Sequence, residues 1–389
     1  MPRLRAAWLA AAAYSGMFGF GVVMALLGAI LPLYVNRPPF DLSKAGDLFF
    51  WMNAAMLVTT LVLGPLLDHY GIRPVMILAP LAVAAAIGAI AFVQRASGLT
   101  AAVMLLGAGG GALNQATNTL IADLHENPRQ KNAALNVLGV FFGFGALFVP
   151  FAMGSLLSTL GVRNILLSAA GIILIPTLLS AWLRFPPPRQ AGAAGARSTL
   201  TFLRRPLVLA FAFLLFFESG NEFTLGGYLS SYLTRELGAS LSVASYALAG
   251  YWGAIMLARV ALGRVLLEAR GEVLIRISAL GVAACLILLS LIHSPRLAVL
   301  LAFLLGSSIA AIFPTVLGLA GTYYAGHAGT VFGLLIGTAL TGGMLMPWLA
   351  GRIAAAHNIR LVWWIPAGGA VAIFVLELVT EHFAKRTET

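Results

Sequence analysis

Apolar residues run along this chain in long blocks separated by short polar stretches. Twelve blocks lie near residues 6–34, 44–68, 74–94, 98–122, 131–157, 163–184, 206–233, 242–267, 272–292, 295–322, 327–351 and 360–382. A helix needs roughly 20 apolar residues to cross a hydrocarbon core of about 30 Å, and each block is about that long. Glycine and proline recur inside the blocks, as from Gly107 to Gly111. Membrane helices tolerate both, because neighbouring helices re-satisfy the freed backbone groups and small residues let helices approach closely. The pattern predicts an all-α membrane protein with 12 transmembrane helices.

Composition strengthens this reading. Of 389 residues, 60% are hydrophobic and 10% charged, whereas soluble domains carry about a quarter charged residues. The net charge of +11 comes from Lys and Arg placed between apolar blocks. Nucleic-acid binding wants a clustered basic face on a soluble domain, so no nucleic-acid partner is expected. Cys285 is the single cysteine and excludes an intrachain disulfide. The apolar stretch from Ala6 to about Val35 is too long for a signal h-region and reads as the first span.

An even number of spans puts both termini on one face. Loops on that face hold fifteen Lys and Arg residues and the opposite loops eight, with Arg259 inside a span. The excess predicts that both termini are cytoplasmic, with the protein multi-pass in the cytoplasmic membrane. Residues 185–205 form a Pro-, Gly- and Ala-rich basic linker. The linker predicts an N-terminal six-helix half over 1–184 and a C-terminal one over 206–389.

Polar side chains inside the spans are few, and a carboxylate there is a functional candidate by default. Glu218 and Glu222 are four residues apart on one face of span seven. Glu222 is the leading candidate, while Glu218 has an equally good structural reading as a partner of Arg259 or of a polar neighbour. Asp123 ends span four and suits a cytoplasmic gate or a surface bridge with Arg129. Glu377 in span twelve reads as structural. Asn114 and Asn118 share a face, with Gln115 beside them, and Asn136, Asn221 and Asn53 are also near mid-span. Amides donate and accept hydrogen bonds, which suits a neutral polyhydroxylated ligand. A carboxylate substrate would favour a central Arg or Lys, and Arg259 reads as nearer the cytoplasmic end. Interhelical amide bonding is the alternative for these residues. Tyr228 and Trp252 are candidate stacking surfaces for a sugar, and Trp363 and Trp364 read as an interfacial belt. There is no nucleotide-binding Gly-Lys-Ser/Thr loop, no metal-ligand spacing of His and Cys and no catalytic set apparent from spacing. No cofactor, metal or enzyme activity is expected.

After span two the chain reads Gly64-Pro-Leu-Leu-Asp68-His69-Tyr-Gly71-Ile-Arg73, and after span eight Gly263-Arg264 is followed by Glu268, Arg270 and Gly271. The first loop resembles the signature of the major facilitator superfamily and the second a degraded copy of it. The resemblance implies two pseudo-symmetric six-helix halves, and a cytoplasmic latch in which Asp68 and Arg73 hold the matching positions. A narrower resemblance is to the fucose permease branch of sugar transporters. It rests on Asn114-Gln115-Ala-Thr-Asn118, Leu135-Asn136, Phe144-Gly145-Ala146, Gly220-Asn221-Glu222, Gly227-Tyr228, Phe313-Pro314-Thr315 and Gly342-Gly343. That branch carries acidic residues in spans one and four. The matching positions here are Leu26 and Asn114, so coupling would run through another group, with Glu222 first.

The resulting expectation is a monomeric secondary transporter of a small polar solute, a sugar or polyol. It would work by alternating access about a midplane site, coupled to a proton or sodium ion. Substrate contacts are expected from Asn114, Gln115, Asn118, Asn136, Asn221, Glu222, Tyr228 and Trp252, and coupling from Glu222 and Glu218. Gating is expected from Asp68, Arg73, Asp123 and Arg129. A drug or metabolite exporter on the same fold is the nearest alternative.

Overall fold

The computed structural model describes residues 2–35, 40–125, 127–187, 202, 205–265, 270–324 and 327–388. Helices account for nearly all of them: α1 (Pro2–Val35), α2 (Leu42–Tyr70), α3 (Ile72–Phe92), α4 (Ala96–Leu124), α5 (Pro128–Ile173), α6 (Ile175–Trp182), α7 (Pro206–Arg235), α8 (Leu241–Val265), α9 (Gly271–Leu291), α10 (Pro295–Ile309), α11 (Ile312–Tyr323), α12 (Ala328–Ala356) and α13 (Trp364–Glu388). A short 3-10 segment, Ile359–Trp363, leads into α13.

Eleven continuous segments are long and apolar enough to cross a membrane, and one of them, Ala133–Trp182, has 50 residues. At 1.5 Å per residue it would measure about 75 Å, more than twice the hydrocarbon thickness. Gly161 divides it. Its φ of 71° and ψ of 162° are non-helical, in a region that favours glycine. The two parts run in opposite directions. α5 leaves the loop after α4, on the face that carries the N-terminus. Beyond the kink the chain returns to that face, where Arg73 donates to the Ala181 carbonyl at 2.9 Å and Arg5 Nε to the Arg184 carbonyl at 2.9 Å. Twelve spans therefore cross the bilayer, and α10 and α11 together form the tenth.

The packing repeats between the halves. Span one packs on spans four, five and six, two on four, and three on four and six; span seven packs on ten, eleven and twelve, eight on ten, and nine on ten and twelve. α7 is buried almost throughout its length, and most of α1 is buried too. A helix apolar on every side is an inner helix. α3 and α9 each bury one face and expose apolar side chains such as Leu78, Leu81, Ile277 and Leu280 on the other. In lipid that outer face needs no polar cover. Within the N-terminal half, α1 and α5 touch backbone to backbone. A Cβ on Gly21 would lie 2.0 Å from the Phe142 carbonyl oxygen, and one on Gly145 1.9 Å from that of Phe18.

Most of the linker, 188–201 and 203–204, lies outside the described residues, as does much of the second signature loop around Gly263 to Glu268. Glu377 is 1% exposed and receives the Arg276 guanidinium, which also reaches Glu381, so it ties α13 to α9. Trp363 departs from the belt expected of it. It is fully buried with its ring edge-on to Tyr232 at 5.2 Å, because the 3-10 turn swings it inward while Trp364 stays exposed.

Candidate functional site

The halves meet along three helix pairs, α1 with α7, α2 with α12 and α5 with α8. Their tightest approaches lie toward the face opposite the termini. There Asp47 Oδ1 of α2 accepts from Trp348 Nε1 at 3.1 Å and Arg352 Nη2 at 2.9 Å, both on α12. Asn53 Nδ2 donates to the Gly343 carbonyl at 3.1 Å. Ser155 and Tyr246 share a hydroxyl–hydroxyl bond of 3.0 Å between α5 and α8. A Cβ on Gly28 of α1 would lie 1.8 Å from the Gly226 carbonyl oxygen of α7. These contacts form a seal.

On the terminus side of the seal lies a cavity of about 560 Å³ between the halves, a size suited to a small-molecule ligand. α4 and α11 face each other across it. Its lining descends α4 from Asn114 to Thr119 and α12 from Leu340 to Gly333, toward the face that carries the termini. Much of the wall is apolar, including Met17, Met24, Met56, Phe20, Phe142, Phe223 and Phe313. The polar groups come mainly from α4 and from the α7–α8 corner.

The α4 contribution follows from helical spacing. Asn118 Nδ2 donates to Asn114 Oδ1 at 2.9 Å and to the Asn114 backbone carbonyl at 2.8 Å, which holds both amides on the cavity face. Gln115 Oε1 is buried and has no hydrogen-bond partner among the described residues. A buried acceptor without a donor is costly, so it is free to receive a ligand hydroxyl.

At the opposite corner Glu222 lines the cavity with Ser219 of the same helix and Arg259 of α8. Arg259 Nη2 is 3.5 Å from Glu222 Oε2. Its Nε donates to the Ala310 carbonyl at 3.4 Å, and its guanidinium lies 5.8 Å from the Phe142 ring centre. Position along the span puts Arg259 near the helix end, yet its long side chain carries the charge to mid-span Glu222. The sequence-based expectation of no central cation therefore changes: one is present, with its charge already matched. Of the two partners open to Glu218, Arg259 or a polar neighbour, the polar neighbour takes it. Ser219 Oγ donates to Glu218 Oε2 at 3.1 Å, and Arg259 goes to Glu222.

Of the expected site residues, Asn114, Gln115, Asn118 and Glu222 line one cavity. The other expected residues whose side chains are described lie outside its lining. Asn221, one residue before Glu222, is turned about 100° around the helix from it and presses on α13, where a Cβ on Gly369 would be 2.4 Å from its Oδ1. Tyr228 is fully buried; its hydroxyl donates to the Pro347 carbonyl at 3.0 Å and its ring packs on Phe49 at 5.8 Å, so it belongs to the seal. Trp252 is 1% exposed and reaches the cavity only through Phe142, which it meets edge-on at 6.1 Å. Asn136 is exposed, about one turn nearer the terminus face than cavity-lining Gly139. The side chains of Asp68 and Arg129 lie outside the described ones, while Asp123 is half-buried near the end of α4. Arg73 reaches Ala181 of its own half. Arg259, Ser219, Thr60 and the α1 methionines had no place in the expected site. Arg259 carried one signal, as a basic residue well inside a span.

Twelve spans with a ligand-sized cavity between repeating halves have the architecture of a multi-pass membrane transporter. The profile of the Major Facilitator Superfamily matches residues 6–218 and 211–388, and the chain belongs to that superfamily; it is a transporter, not an enzyme. Among its relatives are the glucose/mannose transporter GlcP of Bacillus subtilis, 24% identical over 90% of this chain and 89% of the relative, and the multidrug resistance protein MdtG of Dickeya zeae, 26% identical over 91% and 90%. Two solved structures, each of a single-residue mutant, share the fold. The nucleoside transporter NupG has a TM-score of 0.79, 14% identity and coverage of 97% and 99%. The Escherichia coli fucose:proton symporter FucP has a TM-score of 0.65, 18% identity and coverage of 95% and 98%.

Proposed function

We propose that this transporter moves a small neutral polyhydroxylated solute, a sugar or polyol, by alternating access and with cation coupling. The carrying observation is the buried, partnerless Gln115 Oε1 beside the Asn114–Asn118 amide pair, facing Glu222 and Arg259 across one cavity. Such a set can accept and donate to hydroxyls at once. The internal Glu222–Arg259 pair leaves no net cation to prefer a carboxylate substrate. GlcP among the relatives supports the sugar class. With the termini cytoplasmic, as the Lys and Arg bias predicts, the described state is inward-facing. The halves 1–184 and 206–389 would rock as units, with Asp68, Arg73, Asp123 and Arg129 gating the cytoplasmic side.

Counterflow in proteoliposomes against a panel of hexoses, pentoses and polyols tests this. At least one sugar should exchange, and Glu222→Gln, which strips Arg259 of its partner at the cavity wall, should cut gradient-driven accumulation by about tenfold or more. If no sugar competes and Glu222→Gln transports like the wild type under every gradient, the reading fails.

The wall of methionines and phenylalanines favours a second reading, an exporter of lipophilic compounds, since methionine adapts to varied apolar ligands and MdtG is also a relative. Cells lacking the protein would then become sensitive to cationic dyes.

The seal carries a smaller prediction. The Asp47–Arg352 pair is partly exposed, and such pairs contribute about 0.2–1 kcal/mol. Asp47→Asn should thus shift the balance away from the inward-facing state by no more than about fivefold. The labelling rate of a cysteine introduced at cavity-lining Thr60 reads this shift.

A further inference from the structure

Two carboxyls on α7 face a single guanidinium. Glu222 touches the cavity and has Arg259 Nη2 at 3.5 Å. Glu218, one turn earlier, is 0% exposed. It accepts a hydrogen bond from Ser219 Oγ at 3.1 Å and shares a side-chain hydrogen bond with Glu222, while no described donor reaches its Oε1. The charged and titratable groups facing it are Glu222 on its own helix and Arg259 and Tyr251 on α8. Tyr251 is itself fully buried, with its hydroxyl unpartnered. Arg259 matches one negative charge, and Glu222 holds it. A second carboxylate would stand in the protein interior with a single hydroxyl donor, and a buried charge in that position neutralises by taking a proton.

We propose that Glu218 is the proton carrier of this transporter, while Glu222 stays ionised against Arg259 at the cavity wall. The proposal rests on the cation-coupled reading above and deepens it by dividing the two roles. Ser219 lines the cavity and bonds Glu218, so its hydroxyl bridges cavity water and the buried carboxyl. On protonation, Ser219 passes its hydroxyl proton to Glu218 and takes one from a hydronium ion in the cavity, which leaves as water. The hydroxyl is regenerated, and Glu218 goes from −1 to neutral. On proton loss, two carboxylates compete for one guanidinium, and the Glu222–Arg259 pair bounding the cavity loosens. The carboxyl that senses the cavity and the carboxyl that stores the proton are thus one helical turn apart.

Infrared spectra of the full-length purified protein at neutral pH test the assignment without any substrate. The carbonyl band of a protonated carboxylic acid should be present in the wild type and lost in Glu218→Gln. Glu218→Asp, which keeps a carboxyl, should retain the band at a shifted position and serves if the glutamine variant fails to fold. A band that survives Glu218→Gln overturns the proposal. A second measurement uses D-glucose as the probe. Glu218→Gln should lower pH-gradient-driven accumulation by about tenfold more than it lowers exchange at equal concentrations, the signature of lost coupling rather than lost binding. Equal losses count against the assignment. If wild-type protein moves no D-glucose or other sugar, the substrate reading fails, and the infrared band still decides the proton's position.

Discussion

Valine at position 28 is expected to bar the inward-facing state and reduce transport by about a hundredfold or more. The added Cβ would sit 1.8 Å from the Gly226 carbonyl oxygen, where a side chain cannot turn aside because the obstacle is backbone. Overpacking typically costs about 1–3 kcal/mol, occasionally more, and a rigid clash belongs at the upper end. The penalty falls on one state only. Gly28 and Gly226 belong to different halves, so rocking the halves apart on this face relieves it. The halves themselves stay intact, and purified Gly28→Val should melt near the wild-type temperature. Gly21→Val is the contrasting case. Its clash with the Phe142 carbonyl, at 2.0 Å, lies within one half and persists in every state. That variant should lose folded protein rather than transport alone. Cysteine labelling from either side of the membrane and thermal melting separate the two outcomes. If Gly28→Val transports normally, the α1–α7 crossing does not separate during the cycle.

Arg259→Ala should be the most damaging change in the cavity. It removes the cation that matches Glu222 and leaves two carboxyls one turn apart with no positive partner. Breaking a buried ion pair from one side costs about 3–5 kcal/mol; Arg259 is 27% exposed, so the lower end applies. Transport should be abolished, and the melting temperature in detergent should fall. The double variant Arg259→Ala, Glu222→Gln should recover part of the lost stability, since it removes the stranded charge as well. Its transport should stay low. Equal melting temperatures for the single and double variants would show that the pair carries no coupling energy.

Much of the architecture could be read from the chain, because lipid imposes one rule: each apolar block of sufficient length becomes a helix. The run from 133 to 182 is apolar throughout, yet it was read as two spans, and Gly161 divides it between them. The site was legible where spacing alone decides it. Asn114 and Asn118 share a face by helical geometry, and the structure bonds them to each other. It was illegible where the rotation of a whole helix decides. Asn221 and Glu222 are neighbours in sequence, yet one presses on α13 and the other lines the cavity. Tyr228 was read as a stacking surface, but helix α7 turns it toward Pro347. Arg259 was judged by its α-carbon's depth, whereas its charge sits several ångströms away at the end of a flexible stem. No local pattern encodes which helix lies opposite another.

The inner and outer helices also differ in what sets their length. α1 has 34 residues, about 51 Å at helical rise, and most of it is wrapped in protein. α3 and α9 have 21 residues each, about 32 Å, close to the thickness of a bilayer's oily interior. Hydrophobic mismatch is therefore felt at the periphery, by this symmetry-related pair. A thinner or thicker membrane would tilt or stretch α3 and α9 while leaving the solute path along α1 shielded from the change.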